Sequence, residues 1–181
     1  MTDVRKGRRM LVLIALVFAA PILIASLLAF SGWMPAGRRN YGELVDPPQR
    51  LQSAATTAAG NAFEWATPQW HWTLVVAMPE RCDEPCRARL DQVGNLRISL
   101  GRHAGKLRIA TDRELPAPGV LSTAAGVYHL AQLPQPLRDR LLPAQADFTL
   151  ALVDPGGHLM LRYPEHADLK QVRKDLGKLI R

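Results

Sequence analysis

The chain opens on a long block of apolar positions. Met10 to Phe30 runs for 21 residues without a charge. As a helix rising 1.5 Å per residue, that block spans about 30 Å, the hydrocarbon thickness of a bilayer. Pro21 sits in its middle, which membrane helices tolerate. Residues 31–62 then carry Gly, Pro and small polar residues without a sustained period and read as a tether. Within it, Pro47-Pro48 forbids helix and favours extended chain. "FEW" at Phe63–Trp65 alternates like a short edge strand. From Trp70 the pattern becomes regular. "WHWTLVVAM" predicts a buried strand ended by Pro79. "PCRARLDQVGNLRISLG" puts Cys86, Leu90, Val93, Leu96 or Arg97, and Leu100 on one helical face, with Pro85 in the first turn and Asp83 or Glu84 as cap. "KLRIAT" predicts a second strand, parallel to the first across that helix. Residues 112–146 are less patterned, with "LPQPLRDRLLPAQ" allowing one or two helical turns. "FTLALVDPGGHLMLRYP" predicts a hairpin. Its first strand is apolar on both faces and central; its second alternates and lies nearer the edge. Pro155 sets φ in the turn and Gly156 takes φ > 0. "ADLKQVRKDLGKLIR" predicts an amphipathic helix with Leu169, Val172, Leu176, Leu179 and Ile180 on one stripe.

The order βαβ, variable middle, β-hairpin, α predicts an α/β, thioredoxin-like fold over residues 63–181. It follows an N-terminal segment (1–9), a transmembrane helix (10–30) and the tether (31–62). Arg5, Lys6, Arg8 and Arg9 precede the apolar run, and Arg38 and Arg39 follow only after a gap. That bias predicts a cytoplasmic N-terminus and an exported C-terminal domain. A cleaved signal peptide is the alternative, with small residues at Ala29–Ser31. The apolar run, however, exceeds the ~7–15 residues of a signal-peptide core, and Trp33 suits an interfacial anchor. Of the formal charge of +7, the first nine residues carry +3 (four basic groups, one acid), leaving +4 for the rest. No basic cluster is interleaved with aromatics, which excludes nucleic acid as the expected partner and leaves a mild preference for an anionic membrane surface.

Candidate chemistry rests on the two cysteines, Cys82 and Cys86, spaced CxxxC. A helix N-terminus favours thiolate, as do Arg81 and Arg87, whereas Asp83 and Glu84 oppose it. Residues four apart within a regular helix lie about 6 Å apart with poorly directed side chains. Pro85 at the helix start leaves Cys82 outside, able to swing back. A permanent disulfide in an oxidising compartment is the structural alternative; its loop is so short that it would stabilise little through chain entropy. The five histidines, His71, His103, His129, His158 and His166, read as solvated or hydrogen-bonded. His129 is the one that could fold over the cysteines. Met78 and Met160 read as core. Ser122, Thr123, Asp112 and His129 have no hydrolytic spacing.

"WHWTLVVAMPERCDEPCRARL" resembles the strand, loop and CxxxC of the Sco/SenC proteins, membrane-anchored thioredoxin-like factors for copper delivery to cytochrome c oxidase. "FTLALVDPGGHLMLRY" is similar to that family's late strand and Asp-Pro-x-Gly turn, and the anchor and tether match. The layout "FSGWMPAG…NYGELVDPP" resembles small membrane proteins encoded among bacterial cytochrome oxidase assembly genes. The resemblance implies a single-pass protein of the bacterial inner membrane with a periplasmic domain. It would assist oxidase maturation by thiol–disulfide exchange or transient Cu(I) handling at Cys82 and Cys86, with oxidase subunits or other assembly factors as partners. Copper is the one metal it implies. The family's third copper ligand, a histidine before the late strand, falls at or near Ala146 here, and "AQADF" also lacks the cis-proline of thioredoxins. Two thiolates suit Cu(I) and make a poor Cu(II) site. As an activity this would be oxidoreduction or copper chaperoning, in a protein read as an assembly factor more than an enzyme. The alternative is a non-catalytic assembly or interaction protein with a structural or vestigial cysteine pair.

Overall fold

The computed structural model describes residues 2–32, 40–51, 55–57, 59–79, 81–113, 126–133, 138 and 148–180. The chain divides into two units, Met1–Arg39 and Asn40–Arg181.

The first unit is one helix, α1 (Thr2–Phe30), which takes in the basic flank as well as the apolar run and carries Pro21 inside it. Its Lys6–Phe30 stretch is long and apolar enough to cross a membrane. Its apolar side chains, among them Phe18, Ile22 and Leu27, are exposed. The serine hydroxyls within it and just after it bond locally, which would suit a helix in lipid. Ser26 Oγ donates to the Ile22 carbonyl at 2.8 Å, and Ser31 Oγ to that of Leu28 at 2.9 Å.

The second unit contains β1 (Glu43–Arg50), β2 (Ala55–Thr57), β3 (Ala62–Phe63), β4 (Trp72–Ala77), α2 (Glu84–Ile98), a short 3-10 helix (Gly101–Lys106), β5 (Leu107–Thr111), β6 (Val127–Gln132), β7 (Thr149–Val153), β8 (His158–Arg162) and α3 (Leu169–Leu179). Among the described residues these strands form a mixed sheet ordered β1-β8-β7-β4-β5-β6-β2-β3. The expected parallel βαβ unit is present, with Leu74 opposite Ile109 in β4 and β5. β7 adds antiparallel to β4, with Val75 opposite Ala151. The period-2 alternation sorts the core onto two faces. Leu74, Val76, Ile109, Leu150 and Leu152 pack against Leu90 and Val93 of α2 and Val172 and Leu176 of α3. Val75, Ala110, Ala151 and Val153 pack against Phe63, Trp65 and Leu130. Burying each large aliphatic side chain contributes about 1.5–3 kcal/mol.

The sheet is wider than the sequence pattern predicts. β1 and β2 lie in the stretch expected as tether. β1 pairs antiparallel with β8, and its pairing is interrupted between Leu44 and Gln49, around Pro47-Pro48. Prolines are admitted there because β1 is an edge strand. β6 runs parallel to β5 in the stretch read as variable middle. The helical turns expected in "LPQPLRDRLLPAQ" lie outside the described residues, apart from Arg138. The hairpin forms as expected, but positive φ falls on Gly157 (+83°) instead of Gly156. Gly157 N–H donates to the Asp154 carbonyl at 3.0 Å. Pro155 and Gly156 are the central residues of that turn as expected, but without positive φ at Gly156; Gly157 takes the left-handed position that follows the turn.

The C-terminal helix also ties down the start of the sheet. Asp175, 1% exposed on α3, accepts the backbone N–H groups of Tyr41 at 2.7 Å and Gly42 at 3.0 Å. Lys178 Nζ lies 3.3 Å from the same carboxylate. Gly42 admits no larger residue, since a Cβ there would meet the Tyr163 ring at 2.9 Å. Tyr163 itself is buried, and burial, followed by the Asp175 charge, pushes its phenol well above the usual tyrosine range.

Candidate functional site

β4 is a central, almost wholly buried strand, and Pro79 ends it just past Met78. The chain then turns into α2. Asp83 is the N-cap, with extended backbone, and its side chain accepts the Cys86 N–H at 3.2 Å. Glu84 and Pro85 fill the first turn. Pro85 has no N–H to satisfy, and its fixed φ suits a helix start. Cys82 thus lies outside the helix and Cys86 within its first turn. Their sulfurs are at disulfide distance and their Cα atoms are 5.1 Å apart, inside the normal range for a bridge.

The two thiols differ in surroundings. Cys86 is 8% exposed and joins the core formed by Val76, Met78, Leu90 and Phe148. Cys82 is half-buried at the edge of that cluster. Arg81 and Arg87, expected to favour thiolate, are exposed. Arg87 approaches Glu84 at 4.0 Å on the surface, a contact worth little in water. Arg89 is more engaged: its Nη2 donates to the Ala167 carbonyl, bracing α2 against the turn before α3.

A buried carboxylate beside this loop was missed as a site residue, having been weighed only for hydrolysis. Asp112, at the end of β5, is 4% exposed. Its Oδ1 accepts the Met78 N–H at 3.0 Å, and its own N–H donates to the Val76 carbonyl at 3.2 Å. It therefore fastens the chain just before the cysteines. Burial pushes its carboxyl pKa up, opposed by the Met78 N–H and by the charges of Arg113 and Arg138. Arg113 Nε lies 3.8 Å from Oδ2, an electrostatic contact too long for a hydrogen bond. Oδ2 has no hydrogen bond among the described residues. The signal in the sequence was an acid directly following the apolar strand in "LRIATD".

The histidines are dispersed. His129 lies on β6 opposite Thr111, with Nδ1 2.8 Å from the Thr111 hydroxyl. That hydroxyl donates its one proton to the Arg113 carbonyl, so His129 is assigned Nδ1–H donating to it, leaving Nε2 as an acceptor. His158 Nδ1 lies 3.2 Å from Asp154. His103 Nε2 accepts from Arg102 Nε at 3.0 Å. His71 sits just ahead of β4 and His166 in the turn before α3. Among the described residues no three His, Cys, Asp or Glu side chains converge as metal ligands. The donor set formed by the reduced pair is two thiolates, which fits a soft ion of low coordination such as Cu(I). Ala146 lies outside the described residues. Met78 is core as expected, and Met160 packs at its margin.

Residues 72–181 match the family model described as the transmembrane-like, thioredoxin-like, C-terminal domain. Similar solved structures include apo Sco1 from Thermus thermophilus, at 14% identity and TM-score 0.54, covering 80% of this chain and 99% of that one. Copper-bound ScoI from Arabidopsis thaliana is similar at 12% identity and TM-score 0.50, covering 78% and 98%. A SCO1/SenC family lipoprotein from Bacillus anthracis is similar at 14% identity and TM-score 0.50, covering 76% and 99%. At such identities the likeness is one of fold. No curated protein sequence matches. With an apolar helix able to cross a membrane, a Sco-like mixed sheet and a cysteine pair at the start of its crossover helix, the chain belongs to the transmembrane-like, thioredoxin-like C-terminal domain family.

Proposed function

We propose that this chain is a single-pass protein of the bacterial inner membrane whose periplasmic domain assists cytochrome c oxidase maturation through Cys82 and Cys86. The observation that carries the reading is the unequal pair: one sulfur half-buried ahead of α2, the other buried in its first turn, at disulfide distance. In the exchange reaction the Cys82 thiolate attacks a partner's disulfide, forming a mixed disulfide and releasing one partner thiolate. The Cys86 thiolate then attacks the Cys82 sulfur and releases the second. The pair loses two electrons and the partner gains them. In the reduced state the same two thiolates take up Cu(I) and pass it on by ligand exchange, with no change in its oxidation state. The sequence resemblance to Sco/SenC proteins supports the oxidase as destination, and the fold of a copper-bound Sco protein supports copper as cargo. The basic flank of α1 supports an N-terminus in the cytoplasm. Oxidase subunits or other assembly factors are the partners this reading implies.

A non-catalytic interaction protein is the second reading. It is favoured by the alanine at position 146, where the resemblance would place a third copper ligand, and by the Asp83 charge beside the pair. Native mass spectrometry of the full chain in nanodiscs separates the two. The reduced chain should take up one Cu(I) and the oxidised chain none, and Cys82→Ser or Cys86→Ser should lose the ion. Ala146→His should add Cu(II) binding. A reduced chain that takes up no copper contradicts the copper half of the proposal. A stoichiometric Cu(II) complex of the unaltered chain, with thiolate charge-transfer absorption, contradicts its ligand set.

A further inference from the structure

The face of the sheet opposite α2 and α3 carries a cleft of about 610 Å3, and Arg108 of β5 lines it. Strand alternation sends Arg108 to the same side as Ala110, away from Leu107 and Ile109. The side chain is 9% exposed. Nε and Nη2 both reach the Thr73 hydroxyl, at 3.2 and 2.8 Å. Nη2 also donates to the carbonyls of Glu64 at 3.0 Å and Trp65 at 3.4 Å. The guanidinium carbon stands 4.6 Å from the centroid of the Phe63 ring and 5.7 Å from that of Tyr128.

These contacts fasten the β3 segment to the sheet and hold the guanidinium rigid. They account for Nε and Nη2. They leave Nη1 without a hydrogen bond among the described residues. They also leave the charge without a carboxylate at ion-pair distance among those residues. Burying a cation is costly, and the Phe63 and Tyr128 ring faces and the Glu64 charge offset part of that cost; an acceptor on Nη1 would offset more. The cleft supplies what a small ligand needs beside it. Phe63 and Tyr128 form aromatic walls, Asn61 and Gln69 are polar lining, and the Tyr128 phenol is exposed. The volume lies within the range of small-molecule sites. With one buried positive charge and Glu64 exposed in the lining, a monoanion fits better than a dianion.

We propose that this cleft binds a small monoanionic carboxylate, its oxygens held by Arg108 Nη1 and the Tyr128 hydroxyl and its apolar part against Phe63. The site faces away from the cysteine pair and stands independently of the redox reading. The test is an NMR titration of the isotope-labelled full chain in nanodiscs with benzoate, inorganic phosphate and chloride at matched ionic strength. Benzoate should give saturable shifts at Phe63, Arg108 and Tyr128. Phosphate should bind at least about tenfold more weakly, and chloride should give no saturable shift. Tyr128→Phe keeps the ring and should weaken benzoate by about tenfold, the loss expected for a hydrogen bond to a charged group. Arg108→Gln should abolish binding; should that variant not fold, Tyr128→Phe and the unaltered chain decide the matter. Absence of saturable benzoate shifts, chloride shifts equal to those of benzoate, phosphate binding as tightly as benzoate, or a Tyr128→Phe chain that titrates like the original overturns the proposal.

Discussion

The Asp83 carboxylate accepts the Cys86 N–H at 3.2 Å, so the side chain that starts α2 also sets a negative charge between the two cysteines. Cap and charge pull the thiols in opposite directions. The helix N-terminus favours thiolate, and the carboxylate disfavours it. Asp83→Asn keeps the cap and removes the charge. It should speed alkylation of the reduced chain near neutral pH, with Cys82 labelled before Cys86 in both forms. Asp83→Ala should in addition cost about 1 kcal/mol of stability. Unchanged alkylation of Asp83→Asn, measured by mass spectrometry over a pH series, would show that this carboxylate does not tune the pair.

Asp112 gives a pH signature of opposite sign to that of an ion-paired acid. Burial raises its pKa in the folded state, so the folded chain holds this proton more tightly than the unfolded chain. The resulting stability is full below the unfolded value, about pH 4, and is lost as pH rises through the higher folded value. Asp112→Asn keeps an acceptor for the Met78 N–H and no longer titrates. The difference in melting temperature between variant and original should therefore grow in the variant's favour as pH rises through that window. A constant difference across it would remove Asp112 as the titrating group.

Asp175 is the fastening between α3 and the first residues of the sheet. Asp175→Ala leaves the Tyr41 and Gly42 N–H groups without their acceptor and should lower stability by about 1–3 kcal/mol. Denaturant unfolding measures this directly. An unchanged midpoint would mean that water replaces the carboxylate at no cost.

Much of this arrangement is legible in the sequence. Leu74–Met78, Leu107–Thr111 and Thr149–Val153 are short, continuous apolar runs, and such runs are the strongest strand signal. Asp83 and Pro85 mark the helix start by their own backbone chemistry. β1 was hidden because Pro47-Pro48 signals extended chain yet argues against a hydrogen-bonded strand unless that strand lies at an edge. β2 and β6 were hidden because Ala55–Thr57 and Val127–Gln132 owe their pairing to neighbours distant in sequence. The roles of Asp112 and Arg108 were out of reach for a related reason. A charge in a strand pattern reads as solvent-facing, and only the packed sheet reveals that both are buried. The inequality of the cysteine pair was legible too, since Pro85 leaves Cys82 ahead of the helix and Cys86 falls on the apolar stripe of α2; the packing around Cys86 bears this out.

The orientation proposed for α1 rests on its basic flank and is tested by reporter fusions after Arg9 and Arg181. The two should report opposite sides of the membrane, with Arg181 outside the cytoplasm. A mature chain beginning at Gly32 would show that α1 is removed instead of retained.

The reversibility of the Cys82–Cys86 bond is the central claim, and a redox titration of the full chain in nanodiscs tests it most directly. Free thiols are trapped by alkylation at each potential and counted by mass. The account predicts one two-electron transition at a potential typical of exchanging thioredoxin-fold pairs, about −120 to −270 mV. A pair that stays closed below about −300 mV, where structural disulfides lie, would contradict it and leave the bond a fixed part of the fold.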